Sequence, residues 1–205
     1  MKTNREALIV VDYQNDFADK EWALYVNGGE KISDYINSIM KQTRDKNNLV
    51  ITSQDWHPDN HISFASRFNL NPFEMKDWEV KWPDHCVANT LGSDFYKEFN
   101  KELVTNKVYK WYDKNIDSYS SFGWKEFINW NFSKSLEDIL NENKIKVVNI
   151  VWLATEYCDF YTVKDAIEKW FEVKLHKSWI AAVNVNPKDW ENAIKKMVEM
   201  WAKLI

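Results

Sequence analysis

The fold is decided most clearly by residues 145–169, which read IKVVNIVWLATEYCDFYTVKDAIEK. The run Ile145–Leu153 is almost continuously apolar and rich in β-branched residues, which is typical of a strand buried in a parallel sheet. Apolar residues then recur at helical spacing over Thr155–Lys169 and predict an amphipathic helix. A buried strand that leads into a helix is the repeating unit of a parallel sheet covered by helices.

The same alternation of strand and helix extends outward from this segment. Further strands are predicted at Ala7–Val11, Leu49–Thr52, Val108–Tyr109, Phe171–Leu175 and Ala202–Ile205. Further helices are predicted at Glu30–Arg44, Ser135–Asn143 and Lys188–Met200. Ser135, with Asp138 three residues later, is a plausible capping pair at a helix start. We therefore expect a three-layer α/β/α fold with a mainly parallel, Rossmann-like central sheet, in one domain over residues 1–205.

Composition and charge exclude several classes of function. The chain of 205 residues is 45% hydrophobic and 28% charged, which allows a sizeable core, and its net charge of −4 argues against a nucleic-acid-binding surface. It has neither the layout of a signal peptide nor an apolar run near the roughly 20 residues that span a bilayer. We expect a cytoplasmic protein that acts on a small molecule, without nucleic acid or membrane as partner. The oligomeric state stays open, a homo-oligomer included.

Three reactive side chains follow predicted strands. Asp12 closes the first strand, Lys110 follows the third and Cys158 follows the strongest. Ligands of open parallel sheets bind beyond the carboxyl ends of the strands. Thr155 is a good N-cap, so Cys158 would lie in the first helical turn, where the helix dipole lowers the pKa of a thiol. A nearby carboxylate can accept the thiol proton and a lysine can stabilise the negative charge, so we predict a cysteine nucleophile. Taken alone, Cys158 would more often be a small buried hydrophobic residue.

A second cluster of reactive side chains lies in the long loop that follows the second strand. Asp55, His57, His61 and His85 fall in this region, which holds three of the four histidines. Asp55 and His57 are two residues apart, so an extended backbone points both to one side. Carboxylate and imidazole ligands suit Zn, Mn or Fe with positions left open for water or substrate. The alternative is a set of surface histidines, and we interpret the adjacent Cys86 as a packed thiol.

Five segments in this order make the sequence resemble the nicotinamidase/pyrazinamidase branch of the isochorismatase-like hydrolases. They are Asp12–Phe17 (DYQNDF), Ser53–Pro58 (SQDWHP) continuing to His61–Phe64 (HISF), Trp82–Cys86 (WPDHC), Lys110 with Asp117–Phe122 (DSYSSF), and Ala154–Cys158 (ATEYC). The resemblance extends over nearly the whole chain.

The resemblance implies a role for each residue that matches a motif. Cys158 would be the nucleophile, Asp12 its proton acceptor and Lys110 the third catalytic residue. The implied metal ligands are Asp55, His57 and His85, with His61 binding the metal or lying beside it. The implied ring pocket is lined by Phe17, Trp82 and Tyr119. The implied oxyanion hole is formed by the N–H groups of Ala154 and Cys158, next to a cis peptide between Leu153 and Ala154.

The activity implied by the resemblance is the hydrolysis of nicotinamide to nicotinic acid and ammonia, through a cysteine thioester, in the salvage of pyridine nucleotides. One divalent metal ion, Zn, Mn or Fe, would position the pyridine ring. Two alternatives stay open at this stage. One is a related hydrolase of small amides, and the other is a pseudoenzyme that binds a metal or nicotinoyl ligand without turnover.

The tryptophan content is anomalous. The chain has 12 Trp and 4 Gly, whereas ordinary usage predicts roughly 14 Gly. Several Trp stand where the backbone favours glycine: Trp170 and Trp201 lie between a helix and a strand, and Trp130 lies in the turn Asn129–Asn131. By resemblance, six Trp align with positions where relatives commonly carry glycine, namely Trp22, Trp78, Trp111, Trp152, Trp170 and Trp201. Trp179 and Trp190 are two further candidates.

These nine tryptophans suggest a specific hypothesis about the genetic code. Trp56 and Trp82, by contrast, match tryptophans of the family. We hypothesise that these nine residues are glycine in the native protein, because the source reads the UGA codon as glycine and the sequence gives it as tryptophan. The alternative is a tryptophan-rich lineage or drift in a pseudoenzyme. Made as written, the chain would carry bulky residues at sites that favour glycine, which costs stability or activity.

Overall fold

The computed structural model describes residues 5–110, 112–116, 119–122, 125–128, 131–152, 155–176 and 188–205. The strands are β1 (Arg5–Val11), β2 (Leu49–Asp55), β3 (Met75–Lys76), β4 (Glu79–Val80), β5 (Asn106–Lys110), β6 (Lys125–Ile128), β7 (Asn131–Ser135), β8 (Ile145–Trp152), β9 (Glu172–Leu175) and β10 (Lys203–Leu204). The α-helices are α1 (Asn15–Ala18), α2 (Ser33–Asp45), α3 (Leu136–Glu142), α4 (Phe160–Glu168) and α5 (Asp189–Glu199). A π-helical turn at Thr155–Asp159 leads directly into α4.

Within these ranges eight strands form one sheet, in the order β10-β9-β8-β1-β2-β5-β6-β7. The six strands from β10 to β5 run parallel to one another. β6 and β7 extend the sheet in antiparallel orientation. The predicted α/β fold with a mainly parallel sheet is therefore confirmed.

Helices cover both faces of the sheet because successive residues of a buried strand point to opposite sides. Ile9 of β1 belongs to an apolar cluster that includes residues of α3, α4 and α5. The next residue, Val10, belongs to a second cluster that includes residues of α2. Both side chains are fully buried. This arrangement gives the three layers expected from the sequence.

The predicted elements are found with shifted ends. The helix predicted from Glu30 begins as a 3₁₀ turn, Gly29–Ile32, before α2. The capping pair before α3 is present, because the Ser135 side chain accepts from Asp138 N–H and the Asp138 side chain accepts from Ser135 N–H. The strands β3, β4, β6 and β7 were not predicted. They are short and lie in hairpins, so they lack the continuous apolar run that marks a buried parallel strand.

Two helix ends place tryptophan in the left-handed conformation. Trp170 has φ 67° and Trp201 has φ 79°. After α4, the Trp170 N–H donates to Ile167 O and the next N–H, of Phe171, donates to Ala166 O. After α5, the same pair of hydrogen bonds joins residues 201 and 202 to residues 198 and 197. This is the Schellman motif, whose left-handed position is usually glycine.

A third tryptophan occupies the turn of the β3–β4 hairpin. Lys76 pairs with Glu79, so Asp77 and Trp78 form a two-residue connection. Their φ angles are 52° and 69°. A two-residue hairpin turn with both φ angles positive is of type I′, in which Asp-Gly is strongly preferred.

The backbone therefore supports the glycine hypothesis at residues 78, 170 and 201. These tryptophan side chains are 95%, 93% and 86% exposed, so their rings contribute little packing. The other suspected positions stay predictions. Trp22, Trp152 and Trp190 are not among the positive-φ residues, and Trp111, Trp130 and Trp179 lie outside the described residues.

None of the helices in the described ranges is both long enough and apolar enough to cross a membrane.

Candidate active site

The ends of three neighbouring strands bring the predicted catalytic residues together. Asp12 directly follows β1, and Asp55 and Lys110, the last residues of β2 and β5, are register partners. Cys158 lies in the π-helical turn that follows β8, on the other side of β1. The Cys158 sulfur and a carboxylate oxygen of each of Asp12 and Asp55 lie within 4.8 Å of one another. The sequence analysis had predicted that Asp12, Lys110 and Cys158 follow strands that end at one side of the sheet, whereas Asp55 was predicted only as a metal ligand.

Lys110 joins the two carboxylates. Its Nζ lies 2.6 Å from Asp12 Oδ2 and 2.9 Å from Asp55 Oδ1, and all three side chains are buried. Nζ also donates to the Tyr119 carbonyl at 3.1 Å. Burial alone would lower the pKa of Lys110, but the charges of Asp12 and Asp55 outweigh it and raise the pKa well above its ordinary value. Lys110 is therefore a fixed cation.

The two carboxylates respond to burial in opposite ways. Burial and the charge of Asp55 raise the pKa of Asp12 to about 6, against the opposing effect of Lys110. The pKa of Asp55 is lowered despite burial, because Lys110 and His57 stabilise its charge. Asp12 also accepts a hydrogen bond from Ser53 Oγ at 2.6 Å. Asp12 is thus the carboxylate suited to accept and return a proton near neutral pH.

Cys158 differs from the prediction in one respect. It lies in the first turn of a helical segment, as expected. Its side chain is only 6% exposed, and burial raises the pKa of its thiol well above the ordinary value, although Lys110 acts in the opposite direction. The lowered thiol pKa expected from the sequence is therefore not found. A thiol that stays protonated needs a base, and a carboxylate oxygen of Asp12 lies within 4.8 Å of the Cys158 sulfur.

Three of the predicted metal ligands form a compact buried group. A carboxylate oxygen of Asp55 and one ring nitrogen each of His57 and His85 lie within 4.8 Å of one another. Asp55 Oδ2 is 3.6 Å from His57 Nε2 and 3.9 Å from His85 Nε2. His85 Nδ1 is 2.7 Å from the Pro83 carbonyl, which can only accept, so Nδ1 carries the proton and Nε2 presents a lone pair. A metal ligand with its other nitrogen bonded to a carbonyl is the usual arrangement.

The histidines of this group are suited to bind as neutral imidazoles. Burial lowers the pKa of His57 to about 3, and it also lowers the pKa of His85. One carboxylate and two neutral imidazoles are a donor set that Zn, Mn and Fe accept. These residues therefore fit a divalent transition metal.

His61 lies beside this group. Its ring centroid is 4.5 Å from that of His57. Its Nδ1 lies 2.8 Å from Ser63 Oγ, and its Nε2 lies 3.2 Å from the Asp113 carbonyl. Both ring nitrogens are thus already engaged. This placement favours the second of the two roles considered for His61, beside the metal.

A pocket lies between the metal group and Cys158. Its wall includes the predicted residues Phe17, Trp82 and Tyr119, and also Leu24 and Tyr157, which the sequence analysis did not identify. Trp82 Nε1 donates to Tyr119 Oη at 3.1 Å, and the Trp82 and Tyr157 rings meet edge to face at 4.8 Å. Flat aromatic walls suit a flat aromatic ligand.

Comparison with known proteins identifies the family. The model of the isochorismatase domain matches residues 6–205. The chain belongs to the isochorismatase family. One relative is the nicotinamidase of Escherichia coli (strain K12), which is 34% identical to this chain over 203 residues. The match covers 97% of this chain and 93% of the relative.

Two solved structures resemble the chain over almost its whole length. The pyrazinamidase of Pyrococcus horikoshii in complex with zinc has a TM-score of 0.81 and 34% identity, and the match covers 98% of each chain. The yeast nicotinamidase Pnc1p bound to the inhibitor nicotinaldehyde has a TM-score of 0.83 and 26% identity, covering 98% of this chain and 99% of that one.

Some predicted features of this family member lie outside the described residues. Leu153 and Ala154 are not described, so the cis peptide between them and the role of the Ala154 N–H in the oxyanion hole stay predictions.

Two polar residues of the site were missed by the sequence analysis. Gln14 is fully buried, and its side chain accepts from Asp55 N–H and donates to Asp55 O, both at 2.8 Å. Ser53, which donates to Asp12, was missed too. Gln14 could have been identified as a site residue because it lies within the motif Asp12–Phe17.

Proposed function

We propose that this chain is a nicotinamidase, which hydrolyses nicotinamide to nicotinic acid and ammonia through a thioester on Cys158. The observation that carries the proposal is the buried group of Cys158, Asp12 and Lys110 at the edge of an aromatic pocket that also contains Asp55 and His57. A nucleophile, a base and a fixed cation are what hydrolysis of an amide requires. The aromatic pocket wall suits the flat ring of nicotinamide, and the proposed metal group suits the nitrogen in that ring.

The relatives support the same reaction. The curated relative from E. coli is a nicotinamidase, and the structure from P. horikoshii is a pyrazinamidase with zinc. The yeast structure holds nicotinaldehyde, which is an inhibitor of that enzyme. Nicotinamide, pyrazinamide and nicotinaldehyde share a flat nitrogen-containing ring that bears a carbonyl group. We take that feature as the substrate class of this chain.

The first chemical step assigned to these residues is proton transfer from Cys158 to Asp12. The thiolate then attacks the carboxamide carbon, and the carbonyl oxygen becomes an oxyanion. We assign the backbone N–H groups of Ala154 and Cys158 to that oxyanion. Lys110 keeps a positive charge beside Asp12 and limits the build-up of negative charge in the site.

Collapse of this intermediate releases ammonia. The carbon–nitrogen bond breaks as Asp12 returns its proton to the leaving nitrogen, and a thioester between the acyl group and Cys158 remains. Water then gives a proton to Asp12 and attacks the thioester carbon. The carbon–sulfur bond breaks, Cys158 recovers its proton, and nicotinic acid leaves. The sum of the steps is one amide and one water converted to one acid and one ammonia.

The ligands that we assign to the metal are Asp55, His57 and His85. A divalent ion bound there would act as a Lewis acid toward the ring nitrogen, directly or through a bound water, and would hold the ring in position. His61 keeps the ring of His57 in place by contact. Phe17 packs against the other ligand ring, because its centroid is 5.5 Å from that of His85.

The proposal is tested by measuring ammonia release from nicotinamide and from benzamide, which has the same shape but no ring nitrogen. With zinc supplied, nicotinamide should be hydrolysed with a kcat/KM at least about tenfold higher than that of benzamide, because only its ring can engage the metal site. Equal kcat/KM values for nicotinamide and benzamide would contradict the proposed role of the metal in binding the ring nitrogen. Thermal stabilisation by nicotinamide without ammonia release would show a binding protein and would overturn the enzymatic proposal.

A further inference from the structure

The buried carboxylate of Asp16 connects the pocket wall with the loop that carries two metal ligands. Asp16 belongs to α1 and is 5% exposed. Its Oδ2 accepts a hydrogen bond from Cys86 N–H at 2.6 Å, across 70 residues of sequence. Its Oδ1 accepts from Ala23 N–H at 3.3 Å, and its carbonyl accepts from Leu24 N–H at 3.1 Å. Asp16 therefore holds two separate loops against α1.

The residue that Asp16 holds is linked through its backbone to both histidine ligands. Cys86 directly follows His85, and its carbonyl accepts from His57 N–H at 3.0 Å. Cys86 has φ 45°, in the left-handed region that a residue with a Cβ atom disfavours. A backbone in that conformation needs neighbouring contacts to keep it there. The hydrogen bond to Asp16 is a short, charge-assisted contact at that residue.

Gly92 leaves the space that the Asp16 carboxylate occupies. A Cβ atom at residue 92 would lie 2.1 Å from Asp16 Oδ2, closer than any real contact. The Gly92 carbonyl also accepts from Asp16 N–H at 3.1 Å. Residue 92 can therefore be only glycine while the carboxylate keeps this position. A larger residue there would displace the carboxylate without changing its charge.

We propose that Asp16 is a positioning residue of the metal site, which acts by fixing Cys86 in its left-handed conformation and so directing the ring of His85. The proposal rests on the function proposed above, because it takes Asp55, His57 and His85 as metal ligands. Gln14 holds the backbone of Asp55 in a comparable way. The segment Asp12–Phe17 thus carries the proposed base at its first residue, and Gln14 and Asp16 hold the backbone beside the proposed metal ligands.

The test measures zinc affinity by competition with a chromophoric chelator, so that it does not depend on catalysis. Asp16→Asn should bind zinc about 10- to 100-fold more weakly than wild type, as is usual when a residue that orients a ligand is changed. Gly92→Ala should weaken zinc binding in the same range, because the new Cβ displaces the carboxylate. Adding Cys86→Gly to Asp16→Asn should recover part of the lost affinity, because glycine adopts the left-handed conformation unaided.

The matched control is Asp84→Asn, which removes the same charge from an exposed residue adjacent to His85. Its zinc affinity should stay within about twofold of wild type. Unchanged zinc binding in folded Asp16→Asn, checked by circular dichroism, would overturn the positioning role while leaving the nicotinamidase proposal intact. Absence of rescue by Cys86→Gly would overturn the role assigned to the left-handed residue. Failure of wild type itself to bind zinc would instead count against the proposed function.

Discussion

Replacing three tryptophans with glycine should stabilise the protein. The variant combines Trp78→Gly, Trp170→Gly and Trp201→Gly, the positions with φ between 67° and 79°. A residue with a Cβ atom in the left-handed region costs roughly 1–2 kcal/mol, which glycine avoids. The three rings are 86–95% exposed, so their removal loses little buried surface. Taking the lower value at each position, we expect a gain of about 3 kcal/mol.

The assay is thermal unfolding followed by circular dichroism. For a domain of this size, 1 kcal/mol shifts the unfolding temperature by roughly 2–4 °C, so the triple variant should unfold roughly 6–12 °C higher than the chain as written. Two controls separate backbone from side chain. The triple alanine variant keeps the Cβ atom and should gain little. Trp190→Gly, in the first turn of α5 and without a positive φ, should give no gain in stability, because no left-handed strain is relieved there.

A triple glycine variant that unfolds at or below the temperature of the written chain would refute this reasoning. An equal gain from the triple alanine variant would also refute it, since the gain would then come from removal of the exposed indoles.

Three further predictions concern the buried charges and the gene. Lys110→Met should lower the free energy of unfolding by about 3–5 kcal/mol, since it leaves two buried carboxylates without their cation, and urea unfolding measures this loss. The kcat/KM should fall as the pH drops below about 6, because burial and Asp55 raise the pKa of Asp12 to about 6 and protonated Asp12 cannot accept the thiol proton. A divalent ion bound to Asp55 would offset the repulsion between Asp55 and Asp12, and kcat/KM would then begin to fall at a lower pH. A fall that begins above neutral pH would contradict the assignment of Asp12 as the base. In the gene, residues 78, 170 and 201 should be encoded by UGA, and Trp56 and Trp82 by UGG; UGG at all five would end the recoding hypothesis.

The sheet and the catalytic group could be predicted because both follow from local patterns. Ile145–Leu153 predicted β8 from its almost continuous apolar run, and the polar residues Asp12 and Lys110 stood directly at strand ends. In a parallel sheet the carboxyl ends of the strands lie on one side, so Asp12, Lys110 and Cys158 could be assigned to that side without knowing the strand order. The strand order itself then brings Asp12 between Cys158 and Asp55.

The supporting polar residues could not be predicted from local patterns. Gln14, Asp16 and Ser53 each bond to a group far away in the sequence, at a distance fixed only by the packed fold. A buried polar residue looks the same in sequence whether it supports a site or a turn. The pKa of Cys158 was misjudged for a related reason, because the helix start is visible in the sequence whereas the depth of burial is not.

The left-handed tryptophan positions were predictable only in part. The helix–strand junctions at Trp170 and Trp201 identified two of them from the sequence, because a chain that reverses after a helix commonly needs such a residue. Trp78 was suspected only by alignment with the family. The type I′ turn that explains it belongs to a two-residue hairpin, too short to be predicted from alternation.

The central claim is tested most directly by the products formed from nicotinamide by wild type and by Cys158→Ala. Both proteins are loaded with zinc, and ammonia and nicotinic acid are measured together. The account predicts equal amounts of the two products from wild type and none above background from the variant, with the unfolding temperature and zinc affinity of the variant unchanged. Product release by Cys158→Ala at the wild-type rate would contradict it.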